Sequence, residues 1–359
     1  MRLTIVTDAW APQVNGVVTT LTRTVLGLQA LGVDVEVITP QGFASIPCPS
    51  YPEIRLAIFP GAEVQRRLVA NDPDAVHIAT EGPLGMAARR CCLDQGWQFS
   101  TSYHTRFPEY LSARWPLPEE WTYAWLRRFH GAAARTMVGT PSMRRELAAR
   151  GFKHLVEWTR GVDAELFQPM APLRQLPWGR ERTERPVLMY VGRVAVEKNI
   201  AAFLDLPYAA DKVVVGDGPA LAGLRQAHPE VVWTGFLAGD SLARTVAQAD
   251  CVVFPSRTDT FGLVMLESMA CGVPVAAFPV TGPCDVVTPG VTGELHEDLA
   301  MAVRGALRLD RHGVAAAVAG RQWSAATAQF LGHLAPTREA RVERMLGAIH
   351  SRRLHEQVQ

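Results

Sequence analysis

Residues 3–37, LTIVTDAWAPQVNGVVTTLTRTVLGLQALGVDVEV, decide the fold class. Leu3-Thr4-Ile5-Val6-Thr7 reads as a short apolar strand. Beyond a loop, Val18, Leu21, Val25, Leu28 and Leu31 recur at the spacing of one helix face, and Gly32 stands where a helix C-cap turns left-handed. Val33, Val35 and Val37 then alternate with Asp34 and Glu36, the period of a strand. Strand, helix and strand in so short a space predict a parallel βαβ unit.

The same alternation continues outward. Strands are expected over Ala75–Thr80, Gln98–Tyr103 and Arg135–Thr140, then a helix Met143–Arg150 capped by Ser142 and closed by Gly151. Between Gln168 and Pro186, Pro169, Pro172, Pro177 and Pro186 break a polar stretch without any period, which reads as a linker. Alternation then restarts with strands Val187–Val191, Lys212–Val215, Val231–Thr234, Cys251–Pro255 and Val273–Phe278. Helices Ser241–Ala249 and Phe261–Cys271 lie among them, and a polar, Arg-rich helix is expected from Thr337 to about Gln357. The class is α/β, with two doubly wound Rossmann-like domains over residues 1–168 and 169–335. A terminal helix over 336–359 is expected to cross back to the first domain. Ligands in such sheets sit beyond the carboxyl ends of the strands, so two facing sheets would make a cleft suited to a two-part substrate.

Composition removes several alternatives. A chain of 359 residues, 48% apolar and 20% charged, fits two well-cored globular domains. Thirty-six basic against 35 acidic side chains leave a net charge of +1, which speaks against nucleic acid as a partner. The basic set holds only three lysines, Lys153, Lys198 and Lys212, and none follows a glycine, which excludes a P-loop. The N-terminus does not read as a signal peptide, and no apolar run is long enough to span a bilayer. Six cysteines without a CxxC pair read as reduced and buried, so a cytoplasmic location is expected.

Two segments carry the chemistry. In Ser256–Gly272, SRTDTFGLVMLESMACG, a polar loop runs into a helix whose first turn exposes N–H groups and the positive end of the dipole, an anion site. Asp259 precedes that turn and Glu267 follows eight residues later, roughly 10 Å away along a helix axis. Carboxylates on either side of a phosphate-binding turn suit a sugar–diphosphate–ribose ligand. In the second segment Arg193 and Lys198 follow the strand ending at Val191, where fixed cations would stabilise a departing diphosphate.

Gly192-Arg193…Glu197-Lys198-Asn199, taken with Asp259…Phe261-Gly262-Leu263…Glu267 and Ala270-Cys271-Gly272-Val273-Pro274-Val275, resembles the retaining glycosyltransferases of family 4, of GT-B fold. Asp8…Pro12…Asn15-Gly16-Val17, Ser102-Tyr103-His104-Thr105-Arg106-Phe107 and Gly161-Val162-Asp163…Phe167…Pro169 match in the same order. The chain resembles the branch of GDP-mannose-dependent mannosyltransferases and sulfoquinovosyl- and glucuronosyl-diacylglycerol synthases. The family's paired glutamates are here Asp259 and Glu267, one methylene shorter at the first place. The resemblance implies transfer of a hexosyl group with retention and without a metal or other cofactor. It implies that Gly16 admits the diphosphate, that Arg193 and Lys198 clamp it, and that Gly262 and Leu263 add backbone N–H groups. Asp259 would hold the donor sugar, Glu267 the ribose, and His104 would face the reacting carbon. Phe261, Gly235 and Phe236 would complete the nucleotide-sugar site, with the base near Thr234-Gly235-Phe236.

Rival readings are a dehydrogenase, a sugar-nucleotide epimerase and a non-catalytic sugar-nucleotide-binding subunit. Gly216-Asp217-Gly218 follows a strand, but Leu221 stands where a dinucleotide fingerprint needs its third glycine. For the acceptor, Pro118 can open a helix in which Trp121, Trp125 and Phe129 recur every four residues, with Arg127 and Arg128 near its end and Trp115 close by. Aromatics beside arginines suit an anionic membrane interface, and Arg106, Tyr110 and Arg114 extend that character toward His104. A lipid acceptor, diacylglycerol or a phospholipid, is expected over a soluble glycan, with the protein peripheral on the inner face of the cell membrane.

Overall fold

The computed structural model describes residues 1–48, 51–112 and 118–341. Most of the terminal helix expected over 336–359, as well as Arg114 and Trp115, lies outside the described residues. The chain divides into two units, Met1–Arg160 with Trp323–Gln359, and Gly161–Gln322.

The first unit contains β1 (Arg2–Val6), β2 (Asp34–Ile38), β3 (Ser45–Cys48), β4 (Tyr51–Ala57), β5 (Ala75–Ile78), β6 (Ser100–Tyr103), β7 (Arg135–Val138) and β8 (Leu155–Glu157). β3 and β4 form an antiparallel hairpin; the other six make one parallel sheet in the order β2-β1-β5-β6-β7-β8. Every residue of β5 and β6 is buried, as a sheet covered on both faces requires. One core cluster gathers Leu3, Ile5, Leu21 and Leu28 with Trp158 and Phe330, and another gathers Val6, Ile38, Leu68, Val76 and Phe99. The chain re-enters this unit with the helix Trp323–His333, which packs on the helix Gly16–Ala30. Gly27 permits the approach, because a Cβ there would lie 2.5 Å from the Thr327 hydroxyl. Trp158 secures it by donating from Nε1 to the Ala326 carbonyl at 3.1 Å.

The second unit contains β9 (Val187–Val191), β10 (Asp211–Val215), β11 (Val232–Gly235), β12 (Cys251–Phe254), β13 (Val275–Ala277) and β14 (Gly293–Leu295), all parallel, in the order β11-β10-β9-β12-β13-β14. The expected α/β class and doubly wound Rossmann-like sheets are therefore present. The crossing points differ from expectation: the chain leaves the first unit after Arg160 and returns at Trp323. The proline-rich stretch is packed onto the second unit. Phe167 is buried in its core, Gln248 accepts from the Leu173 amide and donates to the Ala171 carbonyl, and Arg182 pairs with Asp250. Proline removed the periodicity there without removing tertiary contacts.

Several boundaries also move. Thr140, not Ser142, caps the helix Pro141–Ala149, accepting from the Met143 amide at 3.2 Å. Pro118 is itself the cap of the helix Glu119–His130, and the helix expected from Phe261 runs from Leu263 to Ala270.

Strand order reverses between β1 and β5 in one sheet and between β9 and β12 in the other. At such switch points the loops part and leave a crevice at the strands' carboxyl ends. In the first unit Asp8 occupies that place. Its carboxylate accepts from Thr80 Oγ1 at 2.9 Å, the Leu84 amide at 3.0 Å and the Gly85 amide at 3.4 Å. The helix Pro83–Asp94 begins after Gly82, which has no side chain to cap it, so a residue 76 positions away supplies the acceptor. Burial raises the Asp8 carboxyl from 3.8 to about 6 despite those donors. The folded state thus holds this proton more tightly than the unfolded chain. Its contribution is present below pH 3.8 and lost as pH rises through about 6. Asp8→Asn cannot ionise, so wild type should lose about 2 kcal/mol relative to the variant between pH 4 and pH 7. Urea unfolding across that range measures the gap, and a gap independent of pH would contradict the assignment.

Candidate functional site

The crevice of the second sheet is walled on one side by the loops after β9, β10 and β11. These loops are laced by backbone hydrogen bonds: Gly192 to the Val215 carbonyl at 2.9 Å, Val194 to Asp217 at 2.9 Å, and Gly216 to Gly235 at 2.8 Å. Gly216 has φ +144, and a Cβ on it would lie 1.9 Å from the Gly192 carbonyl oxygen. The Gly216-Asp217-Gly218 segment therefore packs beneath the Arg193 loop. Tyr190 donates its hydroxyl to the Arg193 carbonyl at 2.6 Å, fixing the backbone that carries the guanidinium. At the end of β11, Gly235 has φ +74, and the following Phe236 stands 53% exposed.

The other wall follows β12. The chain passes Pro255 and buried Ser256, reaches Asp259, and turns at Gly262 with φ +84 into the helix Leu263–Ala270. A Cβ at Gly262 would lie 2.8 Å from both the Phe254 ring and the Met265 methyl, so only glycine fits. No side chain caps this helix and its first turn contains no acid, while the Met265 amide turns back onto the Gly262 carbonyl at 3.0 Å. Glu267 lies in the second turn, half-buried. Side chains on a helix lean toward its N-terminus, which brings this carboxylate toward the same end. The Phe261 ring differs from expectation: it is 6% exposed in the unit's main core, so only its backbone remains for a ligand.

Lys198 and Asp259 join the two walls. The Lys198 ammonium donates to Asp259 Oδ1, with the two side chains 22% and 16% exposed. The other oxygen, Oδ2, is buried and accepts no hydrogen bond among the described residues. Sequence reading places these groups on different parts of a donor; the structure pairs them. An acceptor atom fixed beside a cation, below an uncapped helix end, is equipped to receive a hydroxyl next to a phosphate.

In the first unit His104 follows β6. Its Nδ1 lies 3.2 Å from Arg160 Nη2, and its ring sits edge-on to Trp158 with centroids 5.7 Å apart. Arginine can only donate, so Nδ1 is the acceptor and the neutral ring carries its proton on Nε2. Burial, reinforced by the Arg160 charge, holds the imidazole well below its usual range, which keeps it uncharged at neutral pH. Burial likewise lowers Arg160 to about 9 while its guanidinium stacks 4.4 Å over Trp158. His77 sits between the Ser100 and Ser102 hydroxyls at 3.0 and 2.9 Å, and burial holds it near 3. Gly16 opens the helix Gly16–Ala30, where Asn15 Oδ1 already accepts from the Val17 and Val18 amides at 3.0 Å each.

On the helix Glu119–His130, Trp121 is 70% and Trp125 43% exposed, whereas Phe129 is buried with Tyr123 and Leu126. Each four-residue step advances about 40° around a helix, so the aromatic stripe turns from solvent into the core. Arg128 is exposed, while Arg127 pairs with Glu120 and donates to the Arg150 carbonyl. Arg106, expected at the surface, is instead buried between Glu109 and Glu146. Glu109 also accepts from the Tyr123 hydroxyl at 2.7 Å, so this cluster mounts the helix on the unit. Tyr110 is half-buried on the short helix Phe107–Ser112.

Sequence reasoning missed Arg160 and Asp8 as organisers of the first unit. An arginine two residues after a tryptophan and an acid after β1 show their role only once strand order is known.

Residues 14–166 match the model of Glycosyltransferase Family 4, and residues 185–309 match that of Glycosyl transferases group 1. A GDP-mannose-dependent alpha-mannosyltransferase of Mycobacterium tuberculosis is 30% identical over 370 residues, covering 95% of this chain and 98% of that one. An alpha-monoglucosyldiacylglycerol synthase of Streptococcus pneumoniae is 26% identical over 366 residues, covering 86% and 78% respectively. Among solved structures, sucrose-phosphate synthase from Thermosynechococcus elongatus superposes with a TM-score of 0.70 at 21% identity over 97% of this chain and 99% of that one, which shows the GT-B fold. With the paired walls of the β9/β12 crevice in place, these similarities make the chain a hexosyltransferase belonging to glycosyltransferase family 4.

Proposed function

We propose that the protein moves a hexosyl group, with retention and without a metal, from a nucleoside-diphosphate sugar to a lipid hydroxyl. The donor is GDP-mannose or a UDP-sugar. The observation that carries the donor assignment is the Lys198–Asp259 pair set beside the uncapped helix at Gly262. The diphosphate lies on the N–H groups of Leu263 and its neighbour, with Arg193 and Lys198 as its counter-charges. The leaving phosphate gains charge as the glycosidic bond breaks, so preorganised cations lower the barrier more than they tighten binding. Asp259 Oδ2 accepts a sugar hydroxyl, and Glu267 accepts from the ribose diol. His104, neutral, offers an uncharged ring in the acceptor-binding unit.

Lys198→Ala should lower turnover at least ~10²-fold, and Arg193→Ala should do likewise, with the fold intact. Glu267→Ala should weaken nucleoside-diphosphate binding about tenfold, because a ribose contact acts in ground and transition states alike. Donor hydrolysis and transfer over a panel of GDP- and UDP-sugars measure the first, and calorimetry with GDP and UDP the second. Near-normal turnover in both cation variants would remove the clamp.

A lipid acceptor is supported by the exposed Trp121, Trp125 and Arg128 and by the similarity to a diacylglycerol-modifying synthase. Among the described residues no helix is long and apolar enough to cross a membrane, so docking through this helix would be peripheral. Indole rings at headgroup level and a cation on anionic lipid are the contacts such a face makes. Wild type should float with anionic vesicles at low salt, and a Trp121→Ala/Trp125→Ala/Arg128→Ala variant should stay behind. A wild type that remains unbound on every vesicle tested would favour a soluble or polysaccharide acceptor.

A further inference from the structure

Asn199 ends the short 3-10 turn Val196–Lys198 in the left-handed region, at φ 52 and ψ 35, with its amide donating to the Val196 carbonyl at 3.0 Å. Its side-chain Nδ2 donates to the Pro255 carbonyl at 3.0 Å, a bond across 56 residues that ties the loop after β9 to the end of β12. Only a few residues meet both demands. Glycine and aspartate tolerate the left-handed backbone but bring no donor, and longer amides are strained there.

The surroundings show why the tie matters. Val194 and Ala195 are fully buried, but the next residue, Val196, is 87% exposed, so the turn leaves the core at once. It re-enters only at Ile200, 3% exposed in the second core cluster. Between those points the loop is held to the β12 side by Asn199 and by a longer bond, 3.4 Å, from Thr258 Oγ1 to the Glu197 carbonyl. Lys198 lies between these two anchors, at the end of a flexible four-carbon stem.

We infer that Asn199 is a positioning residue whose carboxamide holds Lys198 on Asp259. The inference builds on the donor-site reading above, because that reading gives Lys198 its task. An ammonium locked on a carboxylate resists acylation, and the other two lysines serve as internal references. Lys153 is exposed, and Lys212 donates to the Leu204 and Leu206 carbonyls.

The test is the rate at which acetic anhydride modifies each lysine of the full chain, followed by peptide mass spectrometry. Asn199→Gly keeps the backbone freedom and removes the donor. Asn199→Asp keeps shape and backbone preference but sets an acceptor against the Pro255 carbonyl. Both should raise the Lys198 rate about fivefold or more, leaving Lys153 and Lys212 unchanged. In turnover, both should lower kcat about tenfold with a smaller change in the donor KM, and Lys198→Ala/Asn199→Gly should be no worse than Lys198→Ala alone. An unchanged Lys198 rate in both variants, or losses that add in the double variant, would overturn the positioning role. Raised labelling together with a fully active Lys198→Ala would leave the positioning role standing and remove the donor clamp instead.

Discussion

The ion pair between Lys198 and Asp259 is the constraint on which the site depends. The two residues stand 61 positions apart and arrive from strands that are direct neighbours in the sheet, β9 and β12. Strand order reverses between them, so the connecting segments run off to opposite faces and the loops part at the strand ends. A cation from one wall and a carboxylate from the other close that gap at one point. Coulomb attraction between groups this shielded from water is stronger than between surface charges, and each group holds the other in place. In the proposed reading, the uncapped helix beside them takes the donor's diphosphate as its anion.

The first unit solves a similar topological problem by satisfying the gap internally. At its own reversal point, between β1 and β5, Asp8 fills the space and caps the helix that Gly82 leaves uncapped. Asn15 likewise takes the first amides of the helix Gly16–Ala30. The two sheets share an architecture and differ in whether the helix N-termini at the switch point are occupied. Those of the first unit are closed by side chains, whereas the helix at Leu263 is left open. The first unit instead keeps neutral polar groups near its strand ends, with burial holding His77 and His104 unprotonated.

Much of this was legible in residue pattern. The opening βαβ, the valine-rich strands of both sheets and the glycines at helix ends follow from periodicity, and the two polar segments together with the resemblance singled out Arg193, Lys198, Asp259 and Glu267. What pattern could not show was pairing at a distance. Lys198 reads as a phosphate ligand and Asp259 as a sugar ligand, yet they meet each other, a fact set by sheet order. Arg106 reads as an exposed cation because its partner Glu146 is 40 residues away. The linker was misplaced for a different reason: prolines erase helical and strand periods, but Phe167 and Gln248 still bind that segment to the second unit. The aromatic stripe at Trp121 and Trp125 was visible as a spacing, while the turn of Phe129 into the core needed the helix's actual orientation.

The most direct measurement is a crystal structure with GDP or UDP bound. The account predicts the terminal phosphate on the backbone amides at Leu263 and its neighbour, within hydrogen-bond reach of Arg193 and Lys198, and the ribose hydroxyls on Glu267. A diphosphate seated instead on the Gly216–Gly218 loop, with the Lys198–Asp259 pair untouched, would contradict it.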